Sequence, residues 1–177
     1  EKICKYIDIP FQHVSAGILK STRRGKSGSA VQATVEKLRE SISGLTLRSS
    51  LIVGFPGETE EDFQALLDFV ERTRFERLGV FKYSIEEGTA AASLADHVDE
   101  EEKERRWQEV MDLQASISRN NNEALIGSIQ RVIIDGIDET GQLIGRTQGH
   151  APEVDGSVYL QNPASLGTGD FADVKIT

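Results

Sequence analysis

Between residues 3 and 88 the chain alternates strand, helix, strand, helix, strand, an order that calls for an α/β fold with a parallel sheet and helical crossovers. The first strand, residues 3–11, divides by parity. Ile3, Ile7, Ile9 and Phe11 share one face and Tyr6, Asp8 and Gln12 the other, with the period of two that a strand requires. A helix is predicted over residues 29–43, where Val31, Val35, Leu38 and Ile42 form one stripe and Gly44 supplies the stop. The second strand, residues 45–53, repeats the parity split. Leu45, Leu47, Leu51 and Val53 point one way with Ser49 among them, while Thr46, Arg48, Ser50 and Ile52 point the other way. Central parallel strands are normally buried among apolar neighbours on both faces. Polar faces on two consecutive strands therefore predict a lumen or cleft in which Asp8, Gln12, Arg48 and Ser50 meet a polar ligand. The alternative is a set of buried hydrogen bonds with no ligand.

Residues 54–58, Gly-Phe-Pro-Gly-Glu, turn the chain from strand to helix. The two glycines permit positive φ or a close backbone approach to a ligand, and Pro56 fixes the turn. Thr59 is placed to cap the next helix, with Asp62 three residues on in a capping-box arrangement, and Phe63, Leu66, Leu67 and Val70 form its buried stripe. A third strand over residues 77–83 ends in a loop, residues 84–89. Loops after parallel strands lie at the carboxyl edge of the sheet, where α/β proteins build their sites. The polar faces and the glycine turn thus converge on one edge.

A long helix opens at residue 99 and is expected to run to Leu125, with Trp107, Val110, Met111 and Leu113 as packing residues and acids in its first turn. After Gly127 the period changes to two. Strands over residues 128–135, 142–146, 156–160 and 173–176, with a turn at 138–141, predict a small β-barrel. Residues 126–177 carry three basic side chains, Arg131, Arg146 and Lys175, against seven acidic ones, a net charge of −4. Tyr159 and Phe171 are their aromatic residues, a poor supply for base stacking. RNA binding is therefore disfavoured, and a basic protein partner fits better.

The chain has 177 residues, short of the roughly 250 that a complete (β/α)₈ barrel needs. Its net charge of −9 argues against broad phosphate-backbone binding. No apolar run approaches the roughly 18 residues of a membrane span, and there is no signal-peptide layout. A single cysteine, Cys4, excludes an internal disulfide and a cluster held by three thiolates of this chain, and points to a reducing, cytoplasmic location. A start on Glu1 without Met predicts a piece of a longer protein.

Three motifs in order, Ile9-Pro10-Phe11-Gln12-His13, Ile52-Val53-Gly54-Phe55-Pro56-Gly57-Glu58-Thr59-Glu60 and Tyr83-Ser84-x-x-x-Gly88-Thr89, resemble the radical S-adenosylmethionine (SAM) methylthiotransferase family. The terminal barrel resembles a TRAM (OB-like) domain. The resemblance implies the C-terminal half of a radical SAM (β/α) barrel with its closing helix over residues 1–126, and a TRAM domain over 127–177. Glu86-Glu87-Gly88-Thr89 and Ala151-Pro152-Glu153-Val154-Asp155-Gly156 resemble the branch acting on a small-subunit ribosomal protein. The competing tRNA-modifying branch usually has an arginine before Gly-Thr and a basic TRAM domain. Ile85 and Ala90 depart from prolines common in that loop, and His150 stands where an acid is frequent.

The resemblance further implies SAM as cofactor and 4Fe-4S clusters whose ligands lie outside this chain, since Cys4 matches neither cluster motif. It implies radical transfer of a methylthio group to the Cβ of an aspartate on the ribosomal protein. No catalytic or metal-ligating residue is assigned here. Gln12, Arg48, Ser50, the backbone of Ile52 and Gly54, and Tyr83 are the implied SAM contacts. Arg48 would engage the methionyl carboxylate through paired donors, or else pair with Asp8 inside the barrel. His13 is a structural or a ligand residue; His97 and His150 form no zinc set. Lys20, Arg23, Arg24 and Lys26 are solvated loop charge or a substrate contact. The chain alone is expected to be inactive, and open sheet edges are expected to promote self-association. A different class of reading is a module that binds a ribosomal protein without chemistry.

Overall fold

The structure, a computed structural model, describes residues 3–22, 28–161 and 166–177. Its contacts divide the chain into two compact units, a larger one of residues Ile7–Arg119 and a smaller one of Glu1–Tyr6 with Asn120–Thr177.

In the larger unit the elements run β1 (Tyr6–Asp8), α1 (Ala16–Ser21), α2 (Gly28–Ser41), β2 (Thr46–Val53), α3 (Glu60–Thr73), β3 (Arg77–Lys82) and α4 (Glu100–Glu123), with a 3₁₀ turn at Ala90–Ser93. The sheet order is β1-β2-β3, and β2 and β3 are parallel, with Arg48 opposite Arg77, Ser50 opposite Gly79 and Ile52 opposite Phe81. Strand β2 alternates strictly between half-buried and buried residues. Its buried set, Leu47, Ser49, Leu51 and Val53, is fully removed from solvent and joins a core with Phe63, Leu66, Val70, Phe75 and Val110. Burial of each large apolar side chain there contributes about 1.5–3 kcal/mol. Phe11, Phe69 and Phe75 meet edge-on or tilted in the same core. The apolar stripe predicted for α2 holds, with Val31 and Val35 in the core and Leu38 and Ile42 packed against it. Gly44 follows at φ 73°. Helix α3 starts in a full capping box, the Thr59 side chain accepting from the Asp62 N–H and the Asp62 carboxylate accepting from the Thr59 N–H. Helix α4 is fastened by its polar side chains as well as by Val110 and Ile117, the Trp107 Nε1 donating to the Val80 carbonyl and Gln114 Nε2 to that of Phe75.

The first strand is shorter than its parity pattern predicted. Pro10 has no N–H to donate, and Ile3, expected on the apolar face, lies outside the strand and is 83% exposed. Residues 3–6 belong by their contacts to the smaller unit. Helix α1 was not anticipated; Ser15 caps it, and it buries Ile18 and Leu19. Of the basic cluster, Arg23, Arg24 and Lys26 lie outside the described residues, and Lys20 is exposed on α1. Helix α4 ends at Glu123, short of Leu125, because Gly127 takes φ 86° and its N–H turns to the Ile176 carbonyl.

The smaller unit holds an antiparallel sheet of order β6-β5-β4-β7, from β4 (Ile129–Ile137), β5 (Leu143–Thr147), β6 (Val158–Tyr159) and β7 (Phe171–Lys175). All four strands were foreseen, with bounds shifted by a few residues. A bulge between Ile134 and Gly136 bends β4, and the β4–β5 turn is tied by the Asp138 carboxylate, which accepts the N–H groups of Thr140 and Gln142. Val132, Ile134, Leu143 and Leu160 form the core. At Gly145 a Cβ would stand 2.4 Å from the Ile133 carbonyl oxygen, so a residue without a side chain is required there.

Candidate functional site

The face of β2 turned away from the core carries Thr46, Arg48, Ser50 and Ile52, all half-buried. Paired residues of parallel strands point the same way, so Arg77, Gly79 and Phe81 of β3 continue this face. Gly79 leaves it flat. A Cβ there would lie 3.3 Å from the Phe81 ring and 3.8 Å from Ser50 Oγ. Phe81 is exposed beside it. Arg48 makes an ion pair with Asp8, the barrel-internal pairing that the sequence allowed.

Gln12, four residues beyond β1, makes an isolated parallel bridge to Leu51 of β2 and has φ 70°, a left-handed conformation that is uncommon for a residue with a side chain. Its N–H donates to the Ser50 carbonyl at 2.9 Å and its carbonyl accepts from the Ile52 N–H at 2.8 Å, which fastens Gln12 across β2. The β2 end turns at Gly54, φ 73°, where a Cβ would collide with Lys103 Cγ at 2.3 Å. The buried Lys103 stem thus fills that flank, while its ammonium reaches Glu100 and lies 5.6 Å from the centre of the Tyr83 ring. Tyr83 follows β3, its N–H on the Val53 carbonyl, its ring edge-on to Phe55 and stacked on His97. Its hydroxyl oxygen is buried and finds no hydrogen-bond partner among the described residues. The structure thus gathers Arg48, Ser50 and Ile52 on β2, Gly54 just past its end and Gln12 bridged beside it, with the Tyr83 N–H on the Val53 carbonyl.

Sequence reasoning missed the buried charges beneath this edge. His13 Nε2 lies 3.4 Å from Glu58 Oε1, with both side chains sealed from solvent. The other Glu58 oxygen accepts the N–H groups of Gly54 and Phe55 and stands 3.4 Å from Arg106 Nη1. Arg106 also donates to the Glu58 carbonyl and to Glu102. A carboxylate at the end of the Gly-Phe-Pro-Gly turn was a visible signal, whereas the sequence around Arg106 carries none. Glu102 is held down to about 2 chiefly by its hydrogen bond from Arg105, against some desolvation and with help from Arg106. For Asp62, burial pushes the carboxyl up, and hydrogen bonds from Ser15 and Thr59 outweigh it, leaving it below its ordinary value.

The smaller unit carries a groove of about 790 Å³ lined in part by Cys4, Tyr6, Arg131, Arg146, His150 and Phe171. Its arginines are engaged, Arg131 over the Phe171 ring and Arg146 with Asp135. Asp155 accepts from the Tyr6 hydroxyl and the Ala151 N–H, closing the Ala151–Asp155 loop. His150 Nδ1 meets the Thr147 hydroxyl at 2.7 Å. Among the described residues, no group of three or more His, Cys, Asp or Glu side chains could hold a metal ion, and Cys4 is exposed.

The model of the radical SAM superfamily matches residues 1–70, and that of the TRAM domain matches residues 126–177. A ribosomal protein uS12 methylthiotransferase RimO of Myxococcus xanthus (strain DK1622) is 49% identical over 178 residues, covering 99% of this chain and 37% of the relative. Proteins of the same name from Clostridium botulinum (strain Okra / Type B1) and Geotalea uraniireducens (strain Rf4) are each 46% identical, covering 100% of this chain and 40% of their own length. The chain therefore spans well under half of the curated relatives it matches. Among solved structures, the Escherichia coli radical SAM enzyme coproporphyrinogen III oxidase (HemN) superposes with a TM-score of 0.55 at 15% identity, over 81% of this chain and 39% of that one, a likeness of fold. With both domain models matched in order and 46–49% identity along nearly all of its length, the chain is similar to the C-terminal part of radical SAM methylthiotransferases of the RimO type.

Proposed function

We propose that the sheet of the larger unit holds SAM, and that the whole protein methylthiolates the Cβ of an aspartate on ribosomal protein uS12, the substrate named for its relatives. The observation that carries the cofactor assignment is the asymmetry of β2, whose one face is sealed in the core while the other stays half open and polar. The residues present fit such a cofactor. Gly79 leaves a flat patch beside Ser50, and Tyr83 keeps an unsatisfied buried hydroxyl that calls for a polar partner. Arg48 would orient the methionyl carboxylate through its charged guanidinium, with Ser50 donating alongside. The backbone of Ile52 and Gly54 would accept the adenine edge, Gln12 would line the approach, and Tyr83 would close the site. Beside a reduced 4Fe-4S cluster, bound SAM supplies hydrogen-abstracting radical chemistry. The residues present do not fit the cluster, since three thiolates cannot come from one cysteine. The chain by itself is therefore proposed to bind SAM without turning it over.

The smaller unit, residues 127–177 in this reading, would dock the protein substrate. Its net charge of −4 and its already partnered arginines favour a basic protein over RNA. A cytoplasmic setting goes with a ribosomal substrate, and among the described residues no helix is long and apolar enough to cross a membrane. Self-association through the outer strands β1 and β3 of the sheet completes the proposal; strictly monomeric sedimentation at high concentration would remove that part. The central test is equilibrium dialysis of the 177-residue chain against SAM. Saturable binding, weakened at least tenfold by Arg48→Ala, is expected, and equal binding by the variant would refute the site. In a pull-down at moderate salt uS12 should be retained over tRNA; the reverse would favour the tRNA-modifying branch.

A further inference from the structure

The His13–Glu58–Arg106 cluster beneath the sheet edge takes no part in the binding scheme above, although it is the most deeply buried set of ionisable groups in the larger unit. Each group that faces the Glu58 carboxylate is a donor. The Gly54 and Phe55 N–H groups point at Oε2, and Arg106 Nη1 approaches the same oxygen. His13 faces Oε1, and its tautomer follows from its other nitrogen. Nδ1 accepts the Ser15 N–H at 2.9 Å, so the ring hydrogen resides on Nε2 and is presented to Glu58. An acceptor-only group satisfies three hydrogen-bond donors and faces the Arg106 charge. A glutamine amide there must set its own N–H₂ against at least one of them.

These bonds join two segments far apart in sequence. His13 adjoins Gln12, the left-handed residue bridged to β2, and Gly54 is the left-handed residue just past the end of β2. Backbone in such conformations persists where its surroundings over-determine it. Gln12 is held by Ser50 and Ile52 on one side and by the buried His13 on the other. Gly54 is held by Glu58 and by the Lys103 stem against its Cα.

We propose that Glu58 is a positioning residue for the cofactor pocket: one buried carboxylate, neutralised by Arg106, locks the Gln12–His13 corner and the Gly54–Phe55 turn into a single rigid edge. The inference rests on the reading of Gln12 and Gly54 as SAM contacts.

The experiment compares Glu58→Gln with Arg48→Ala and with Val110→Ala, a core truncation in α4 away from this edge. Each 177-residue variant is measured for SAM affinity by equilibrium dialysis, for thermal midpoint, and for amide exchange at Gly54 and Phe55 by ¹⁵N NMR. Glu58→Gln should weaken SAM about tenfold and speed exchange at both amides about tenfold. Val110→Ala should lower the midpoint at least as far with affinity unchanged within twofold. Should Glu58→Gln not fold, His13→Asn serves instead. Its oxygen keeps the Ser15 N–H but drops the Glu58 donor, and it should weaken SAM about threefold while the Gly54 amide stays slow. Loss of stability without loss of affinity in the Glu58 or His13 variant overturns the positioning role. If Arg48→Ala leaves affinity unchanged, or the unsubstituted chain binds no SAM at millimolar concentration, the site reading fails, and the positioning role with it.

Discussion

Strands β2 and β4 both alternate between covered and open residues, yet they are held by different means. In β2 four alternate residues from Leu47 to Val53 lie under helices, in a core that reaches from Phe11 to Ile117. In β4 full burial is confined to Val132 and Ile134, and the strand ends in Ile129 and Ile137, both about 70% exposed. The larger unit thus draws its stability from packed apolar volume. The smaller unit, with four buried core residues, leans on backbone fit: the Gly136 bulge, the Gly145 close approach and the Asp138 turn. A helix-covered sheet has spare stability and leaves its second face available for chemistry, whereas a small barrel spends its glycines on shape.

Substitutions can break this contrast or sharpen it. The largest effect is expected at Phe75, wholly buried between Phe11 and Phe69; Phe75→Ala should cost about 4 kcal/mol in urea unfolding, and a loss near zero would mean that the core is not what holds this unit. In the smaller unit Gly145→Ala should cost about 3 kcal/mol, because the methyl meets the β4 backbone, which has no room to yield. Its companion Gly141→Ala has open space but φ 85°, so about 1 kcal/mol from conformation alone is expected. Equal effects at the two glycines would refute the shape argument. Thr59→Ala in the larger unit should cost about 1 kcal/mol through loss of the α3 cap, read as a lowered melting midpoint.

The smallest effects are electrostatic and are lost in acid. The hydrogen bond from Arg105 holds the Glu102 carboxyl down to about 2, below its ordinary 4.5. A carboxyl depressed on folding contributes stability that is present above its unfolded value and is lost as pH falls towards its folded value. Glu102→Gln should therefore lower stability slightly at neutral pH, flatten the profile between pH 4.5 and about 2, and match the parent in stronger acid. Asp138 is lowered by the Thr140 hydroxyl first and by the turn N–H groups after it, so Asp138→Asn should act in the same direction on the smaller unit. A steeper acid loss in either variant than in the parent would reverse the assigned sign.

Much of the fold was legible because its signals are local. The β2 parity, the α2 stripe, the Thr59–Asp62 box and the Gly44 stop each depend on residues within a few positions of one another, and all appear where the sequence put them. That Arg48, Ser50 and Ile52 share one strand face was likewise readable, since it follows from the period of two. The support beneath them was not. Glu58 meets His13 across 45 residues and Arg106 across 48. Nothing in the helical spacing of Arg106 distinguishes it from the solvated Arg105 beside it.

By itself, then, the sequence determined the order of elements, which strand faces are apolar, the chemistry available at the sheet edge and the family resemblance. Tertiary structure alone decided that Ile3 leaves the sheet, that Arg48 takes Asp8 as a partner, and that a single carboxylate gathers three hydrogen-bond donors and the Arg106 charge under the edge. The reason is physical. Periodicity records how a residue sits on its own element, whereas the burial of a charge depends on which distant elements close over it, and only the packed sheet and helices fix that.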